Sequence, residues 1–195
     1  MGSSSFHSDR PDSADTEHPS VSVDIREVLF GDEPLERVAT YAAVGEHVDN
    51  GILENNPWAW FSLASQRVSE GDSTGAIAAL QKVLGISGLE VRIYLQAWHS
   101  LRTLGLFPPE DQAREIQGVV VEVALERGLD IVAAYSDGSA RYINYSGAVV
   151  IWDSHEIEIE KLIAELLNVG QSIVDVSDPW DGPRRKEAFF PSLCR

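Results

Sequence analysis

The residues of this sequence that best suit binding chemistry share one face of a predicted helix. Arg92, His99 and Arg102 are spaced so that an α-helix would carry all three side chains on one side. A guanidinium group binds a carboxylate through two parallel hydrogen bonds, and an imidazole can add another donor. This face could therefore hold a carboxylate or an extended acidic peptide. The alternative is a solvated polar face whose arginines pair with acidic side chains of the same chain.

Signals for catalysis are few. The sequence has no glycine-rich phosphate loop, no metal-ligand spacing of histidines and cysteines, and no nucleophile elbow. Glu122 is the one candidate acid or base, since a buried glutamate near a tyrosine can have a raised pKa. With Tyr142 and Asn144 it would line a junction pocket where the helices meet the strands. The sequence thus favours a non-enzymatic role without cofactor or metal, and the junction pocket is the alternative.

The charge of the chain limits its partners. The 195 residues include 15 basic and 31 acidic side chains, which gives a net charge of −16. Phosphate backbones and anionic lipid surfaces repel such a chain, whereas a basic protein attracts it. No apolar run is long enough for a membrane span, and no secretory signal is visible. We expect a cytoplasmic protein that binds neither nucleic acid nor membrane, and the sequence does not indicate its oligomeric state.

The helices that would position the basic face lie in residues 25–117. Apolar residues repeat at helical spacing in three segments, which begin near Pro34, Asn56–Pro57 and Ser73. Ser87 and Glu90 match a capping box, in which each side chain binds a backbone N–H at the helix start. This box predicts the beginning of the fourth helix, which carries Arg92.

Two of these helices resemble a tetratricopeptide repeat (TPR), a helix–turn–helix unit of about 34 residues. The resemblance covers residues 57–117 and is strongest at Trp60, Leu63, Ala64, Gly71, Ala76, Leu80 and Val83. In TPR proteins the first helix of each repeat commonly lines a groove that grips a peptide, which adds two aromatic residues to the candidate site. The resemblance thus implies a helical groove formed by Trp58, Phe61, Arg92, His99 and Arg102.

The pattern changes from helical to strand-like at Gly118. Four segments rich in β-forming residues follow: 119–125, 129–135, 140–145 and 148–152. They are separated by pairs that suit two-residue hairpin turns: Arg127–Gly128, Asp137–Gly138 and Ser146–Gly147. We therefore predict an antiparallel four-stranded meander that caps the short helical array.

Two-residue turns would fix the register of this meander and place Arg141 opposite Trp152, within reach of a cation–π contact. On this register Arg141 shares a face with Val121, Val123, Val132, Ile143 and Val150, while the other face holds Glu122, Tyr142 and Asn144. Neither face is cleanly polar. We therefore expect both to be at least partly covered, one by the helical array and one by a final helix.

A final helix and two tails complete the predicted organisation. Asp153 and Glu156 can cap a helix with an apolar stripe that extends to Val176. Residues 1–24 are predicted to be a disordered tail and residues 177–195 an irregular one. Between them we predict one compact α+β unit. It joins a TPR-like helical region, 25–117, to a meander plus helix, 118–176.

Several phrases are similar to those of an uncharacterised family of bacterial proteins. They span most of residues 55–182 and read NPWAW, LQAWHSLRTLG, GVVVEV, GLDIVAAYSDGSARYINYSG and GQSIVD followed by PW. In that family a TPR-like helical part precedes a β-meander. The resemblance implies this fold and a bacterial cytoplasmic origin, and it implies no activity. The Arg-Arg-Lys-rich ending departs from the family pattern.

Three functional hypotheses follow. The leading one is a non-enzymatic interaction or adaptor module that captures a peptide or protein segment in the helical groove. The second is a small-ligand-binding protein or enzyme that uses the junction pocket of Glu122, Tyr142 and Asn144. The third is an acidic inhibitor, or immunity-type partner, of a basic protein, and it depends on the net charge of −16.

Overall fold

The computed structural model describes residues 25–44, 55–126, 128–153, 156–180 and 182. These residues form seven helices and one four-stranded antiparallel sheet, and the last helix follows the strands. The predicted α+β arrangement is therefore confirmed. None of the described helices combines the length and the apolarity that crossing a membrane requires. The predicted tails, 1–24 and most of 177–195, lie outside the described residues.

The helical part has six of these helices. Their bounds are α1 Ile25–Phe30, α2 Leu35–Val44, α3 Pro57–Ser69, α4 Ser73–Leu84, α5 Val91–Thr103 and α6 Glu110–Ala113. α2, α3, α4 and α5 pack on one another in chain order, around a core that includes Phe61, Leu80, Val83 and Leu101. The start of α3 follows the predicted signal, because the Asn56 side chain accepts hydrogen bonds from two backbone N–H groups of the first turn.

The sheet is a meander in which each strand pairs with the next. Its strands are β1 Gly118–Leu125, β2 Gly128–Tyr135, β3 Ala140–Ile143 and β4 Val149–Trp152. β1 and β2 pair along their whole length, and Leu125 lies opposite Gly128. Gly128 therefore belongs to β2. The prediction that Gly128 forms the turn together with Arg127 is wrong.

Both later turns of the meander are one residue longer than predicted. The N–H of Tyr135 binds the carbonyl of Ser139 across the first, and the N–H of Asn144 binds the carbonyl of Ala148 across the second. Each turn therefore has three residues, the last of which is a glycine in the left-handed region, such as Gly138 with φ 83°. A glycine at this position is typical of three-residue hairpin loops.

The longer turns shift the register by one residue, so the predicted Arg141–Trp152 pair is wrong. Arg141 lies opposite Ile151, and Trp152 lies opposite Ala140. When the register shifts by one residue, each side chain shares its face of the sheet with a different set of residues on the neighbouring strand. On one face, here called inner, Arg141 lies with Val120, Glu122, Ile131, Ala133, Tyr135 and Ile143. The outer face carries Val121, Val123, Asp130, Val132, Ala134, Ala140, Tyr142, Val150 and Trp152.

The two faces are covered by different helices. Leu29 of α1 and Val91 of α5 pack on Tyr135 and its neighbours on the inner face. The last helix, α7 Ile157–Val176, packs on the outer face, where Ile163 contacts Ala134 and Ala140. α7 begins after Glu156, whose side chain makes no cap hydrogen bond. Both faces are thus covered as expected, although α7 covers the outer face only in part.

The start of α5 differs from the predicted capping box. Glu90 occupies the N-cap, but its side chain makes no cap hydrogen bond. The N–H of Val91 is bound instead by the carboxylate of Asp137, at 2.9 Å, from the β2–β3 turn. The Ser87–Glu90 capping box is therefore wrong, because a residue distant in sequence caps the helix. This leaves the carboxylate of Glu90 available to arginines.

Candidate functional site

The two aromatic residues of the helical groove belong largely to the core. Phe61 is fully buried and offers no surface to a ligand. Trp58 is half-buried and packs edge-on against Tyr41, with ring centroids 5.6 Å apart. The Tyr41 hydroxyl donates to Glu33 at 2.6 Å, and burial together with this bond raises the pKa of Tyr41 to about 12. Only part of the Trp58 ring is available to a partner.

The chain itself fills the space beside α5 where the sequence predicts a peptide. The segment Gly31–Glu33, between α1 and α2, lies against Gln96, which follows Arg92 by one helical turn. The Gln96 side chain accepts from the Glu33 N–H at 2.9 Å and donates to the Glu33 carbonyl at 2.8 Å. A cavity of about 20 Å³ remains beside Trp58 and Arg92, which is room for one water molecule. The Arg92 end of the helical groove is therefore occupied by backbone.

Arg92 serves a joint between the helices and the sheet. Oε1 of Glu90 accepts from Nε of Arg92 at 2.7 Å and from Nη2 of Arg141 at 2.6 Å. The Arg141 guanidinium also lies over the Tyr135 ring, 5.7 Å from its centroid. The Tyr135 hydroxyl donates to the carbonyl of Leu29, and burial raises the pKa of Tyr135 to about 12. These contacts hold α1, α5 and the inner face of the sheet together.

His99 and Arg102, the other basic residues of the helical groove, lie past Gln96 toward the end of α5. His99 is half-buried and makes contacts of its own, whereas Arg102 is exposed. The five residues of the helical groove therefore do not form one continuous accessible surface. Periodicity predicts that the three basic residues share one face of α5, but it does not show that Gly31–Glu33 packs against Gln96 at the Arg92 end of that helix.

Asp137 completes the joint from the β2–β3 turn. Its carboxylate accepts from the N–H of Val91 and from the N–H of Ser139, each at 2.9 Å. Burial opposes ionisation of Asp137, but these hydrogen bonds, aided by the positive charge of Arg141, outweigh it. They hold the pKa of Asp137 below its ordinary value of 3.8. The ionised form of Asp137 therefore stabilises the native joint.

Asp137→Asn should lower the free energy of unfolding at pH 7 by about 1–2 kcal/mol, because an amide is a weaker acceptor for the Val91 N–H. A lowered native pKa contributes stability above the unfolded pKa, and this contribution is lost as pH falls through the native pKa. The difference between wild type and variant should therefore shrink between about pH 5 and about pH 3. Urea unfolding at several pH values measures it. A difference that stays constant with pH would contradict this role of Asp137.

The three residues of the junction pocket do not meet. Glu122 lies on the inner face, where Arg26 binds its carboxylate through two hydrogen bonds of 2.6 and 2.9 Å. Tyr142 lies on the outer face and donates to Asp130 at 2.7 Å, which raises the pKa of Tyr142. The Asn144 side chain accepts from backbone N–H groups of the β3–β4 turn. The shifted register separates Glu122 from Tyr142, so the predicted grouping is wrong.

An inner cleft does open near Asn144, between the start of α1 and the β3–β4 turn. Its walls are mostly apolar and are formed by Ile25, Arg26, Leu129, Ile131, Ile143, Asn144, Tyr145, Gly147 and Val149. The one guanidinium there, of Arg26, is bound by Glu122. In the described part of the chain, no cluster of His, Cys, Asp and Glu side chains is arranged to hold a metal ion.

Where α7 does not cover it, the outer face of the sheet carries exposed valines beside the hydrogen-bonded pair of Tyr142 and Asp130. Four valines are 38% to 47% exposed there: Val121, Val123, Val132 and Val150. Valines on a sheet face usually pack against a second layer of structure. This exposure is hard to predict from the sequence, because the segment VVVEVAL of β1 does not alternate cleanly between apolar and polar residues.

One flank of α7 adds to this exposed area. Apolar side chains at helical spacing are 59% to 64% exposed along it: Leu162, Val169 and Ile173. On the opposite flank, Gln171 accepts from the N–H of Ile116, and Glu160 lies beside Gly138. Those contacts are at the end of the sheet where β1 starts and β2 ends. The Leu162 flank therefore faces the uncovered valines.

We call the four valines of the sheet and these three residues of α7 the outer apolar surface. Acidic side chains border it. On α7, Glu158 and Glu165 lie at helical spacing beside Leu162 and Val169, and on the sheet Asp130 lies opposite Val123. The surface thus combines an apolar centre with a negative border.

Comparisons with known proteins return no match. No protein-family model matches the chain, and neither a curated protein nor a solved structure does. The resemblances to TPR proteins and to a bacterial family therefore stay predictions, and function is argued from geometry and chemistry.

Proposed function

We propose that the protein is a non-enzymatic interaction module that binds another protein through its outer apolar surface. One observation carries the proposal: four valines on one sheet face and three apolar side chains on the flank of α7 that faces them are exposed. Removing apolar area from water contributes about 25 cal/mol per Å², so exposed apolar area of this extent favours a partner that covers it.

The helical groove is the weaker binding surface for such a partner. Phe61 is buried, and the Arg92 guanidinium is bound by Glu90. A segment that entered the groove would have to displace Gly31–Glu33 and break both of its hydrogen bonds to Gln96. The outer apolar surface requires no such displacement of described residues.

The expected partner presents apolar side chains surrounded by basic ones. The negative border of the outer apolar surface and the net charge of −16 would attract such a protein and speed its association. This chemistry agrees with the hypothesis of an acidic inhibitor or immunity-type partner of a basic protein. It also predicts that association slows as the salt concentration rises.

The inner cleft supports a second candidate function, the binding of a small ligand. Its mostly apolar walls, which include Leu129, Ile143 and Val149, suit an apolar molecule. Since the Arg26 guanidinium is already bound by Glu122, the cleft offers few polar contacts that would select a ligand.

Two charges on the outer apolar surface should abolish partner binding. The variant Val123→Glu with Leu162→Glu places carboxylates where apolar contacts form, and we expect the affinity to fall by about 100-fold or more. Affinity purification from the native cell with mass spectrometry identifies the partner, and calorimetry then measures its affinity for each variant. Because both side chains are exposed, the urea unfolding curve should stay close to that of the wild type.

Two control variants locate the binding surface. Phe107→Glu changes an apolar side chain that is 67% exposed but lies outside the outer apolar surface, and it should leave binding unchanged. Arg102→Glu changes the exposed arginine of the helical groove. A partner that survives Val123→Glu with Leu162→Glu but is lost with Arg102→Glu would move the site to the helical groove and refute the proposal.

A further inference from the structure

Two properties of the outer apolar surface, its apolarity and its negative charge, determine which segment or protein fits it. Its centre is apolar, with Leu162 and Val169 more than half exposed, and the carboxylates of Glu158, Glu165 and Asp130 lie beside it. An occupant that fits both has large apolar side chains beside basic ones. The chain contains 15 basic residues in all, so a segment of the chain that combines these properties is unusual.

Residues 183–195 have this composition. They read PRRKEAFFPSLCR, with three consecutive bases followed by two phenylalanines and a leucine: Arg184, Arg185, Lys186, Phe189, Phe190 and Leu193. The phenylalanines match the apolar centre of the surface, and the bases match its acidic border. Two consecutive phenylalanines would bury a large apolar area if they packed on the valines of the sheet.

The distance along the chain also permits this contact. The segment begins at Pro183, shortly after α7 ends at Val176. An extended chain from Trp180 to Phe189 spans about 30 Å. The helix from Val176 back to Leu162 is about 21 Å long. The tether is therefore longer than the flank of α7 that carries Leu162, which permits Phe189 to contact the outer apolar surface.

We propose that residues 183–195 of the chain occupy the outer apolar surface when no partner is bound. A tether of this length gives an effective concentration in the millimolar range, so even a weak contact would be populated. A partner that binds the surface must displace the segment, which then acts as a built-in competitor. This inference rests on the proposed function for the competitor role, but the occupation itself is a separate claim.

A nitroxide spin label on Cys194, the single cysteine of the chain, tests the occupation in the full-length protein. The label broadens the methyl resonances of nearby residues. We expect the methyl signals of Val123, Val150 and Leu162 to lose most of their intensity until the nitroxide is reduced. The signal of Ile77, on α4, should keep its intensity. No broadening at the outer apolar surface would overturn the inference.

The control is Phe189→Glu with Phe190→Glu, which keeps the label and the chain length and should remove the broadening. If the broadening persists in this variant, the apolar side chains do not make the contact and the inference is wrong. A mixture of spin-labelled wild type with isotope-labelled Cys194→Ser chains tests whether the contact forms between molecules. Equal broadening in that mixture would assign the surface to a second copy and overturn the inference.

Failure of this inference is distinct from failure of the proposed function. If the label finds no contact but Val123→Glu with Leu162→Glu still loses the partner, the proposed function stands alone. If the label finds the contact but those substitutions leave partner binding unchanged, the surface is only an intramolecular contact. If both hold, Phe189→Glu with Phe190→Glu should bind the partner several-fold more tightly than the wild type.

Discussion

Gly31→Ala should lower the free energy of unfolding by about 2–5 kcal/mol, the largest effect that we expect from one small substitution. Gly31 has φ 61°, a left-handed conformation that costs a residue with a Cβ about 1–2 kcal/mol. An added Cβ would also lie 2.6 Å from the carbonyl oxygen of Arg92 and 2.9 Å from the nitrogen of Gln96. Forcing these backbones apart costs about a further 1–3 kcal/mol.

Gly71→Ala is the matched control for this prediction. Gly71 has φ 76°, but a Cβ there would have no neighbour within 4 Å. It should therefore cost only the conformational part, about 1–2 kcal/mol. Urea unfolding of both variants measures the difference, which reports how closely Gly31–Glu33 packs on α5. Equal losses at the two glycines would contradict the filled helical groove.

Glu90→Gln should lower the free energy of unfolding by about 2–3 kcal/mol. Glu90 accepts from two arginines whose side chains are only 21% and 13% exposed, Arg92 and Arg141. Removing its charge leaves two largely buried guanidinium groups without their shared carboxylate. This lowers the free energy of unfolding because the remaining positive charges are poorly solvated. The loss should persist at high salt, since buried pairs are weakly screened.

Glu70→Gln is the control for this second prediction. Glu70 pairs with Arg67 at 3.2 Å, but both side chains are 44% exposed. Pairs of this kind contribute about 0–1 kcal/mol. Urea unfolding at low and high salt compares the two substitutions. A loss at Glu90 no larger than that at Glu70 would mean that the joint between helices and sheet does not depend on this carboxylate.

Local signals in the sequence predict most elements of the fold, but not the short helix α1, Ile25–Phe30. Asn56 and Pro57 start α3, and the change at Gly118 marks the passage from helices to strands. These features depend on backbone conformations and hydrogen bonds within a few residues. The capping box at Ser87 and Glu90 failed for the opposite reason. Asp137 caps α5 from a distant turn, and no local pattern shows that pairing.

The register of the sheet and the candidate site required the three-dimensional structure. A glycine such as Gly138 suits the end of a three-residue turn as well as a two-residue one, so the sequence could not fix the register. The one-residue difference separated Glu122 from Tyr142 and moved Val121 and Val123 away from Arg141. Their exposure depends on where α7 crosses the outer face, which the apolar stripe of α7 does not determine.

Methyl cross-saturation with the partner that affinity purification identifies is the most direct test of the outer apolar surface as a binding site. Saturation of the partner reduces the signals of methyl groups that it touches. We predict losses at Val121, Val123, Val150 and Leu162, with none at Leu129 of the inner cleft. Losses confined to the inner cleft, or to the face of α5 that carries Arg102, would contradict the proposed function.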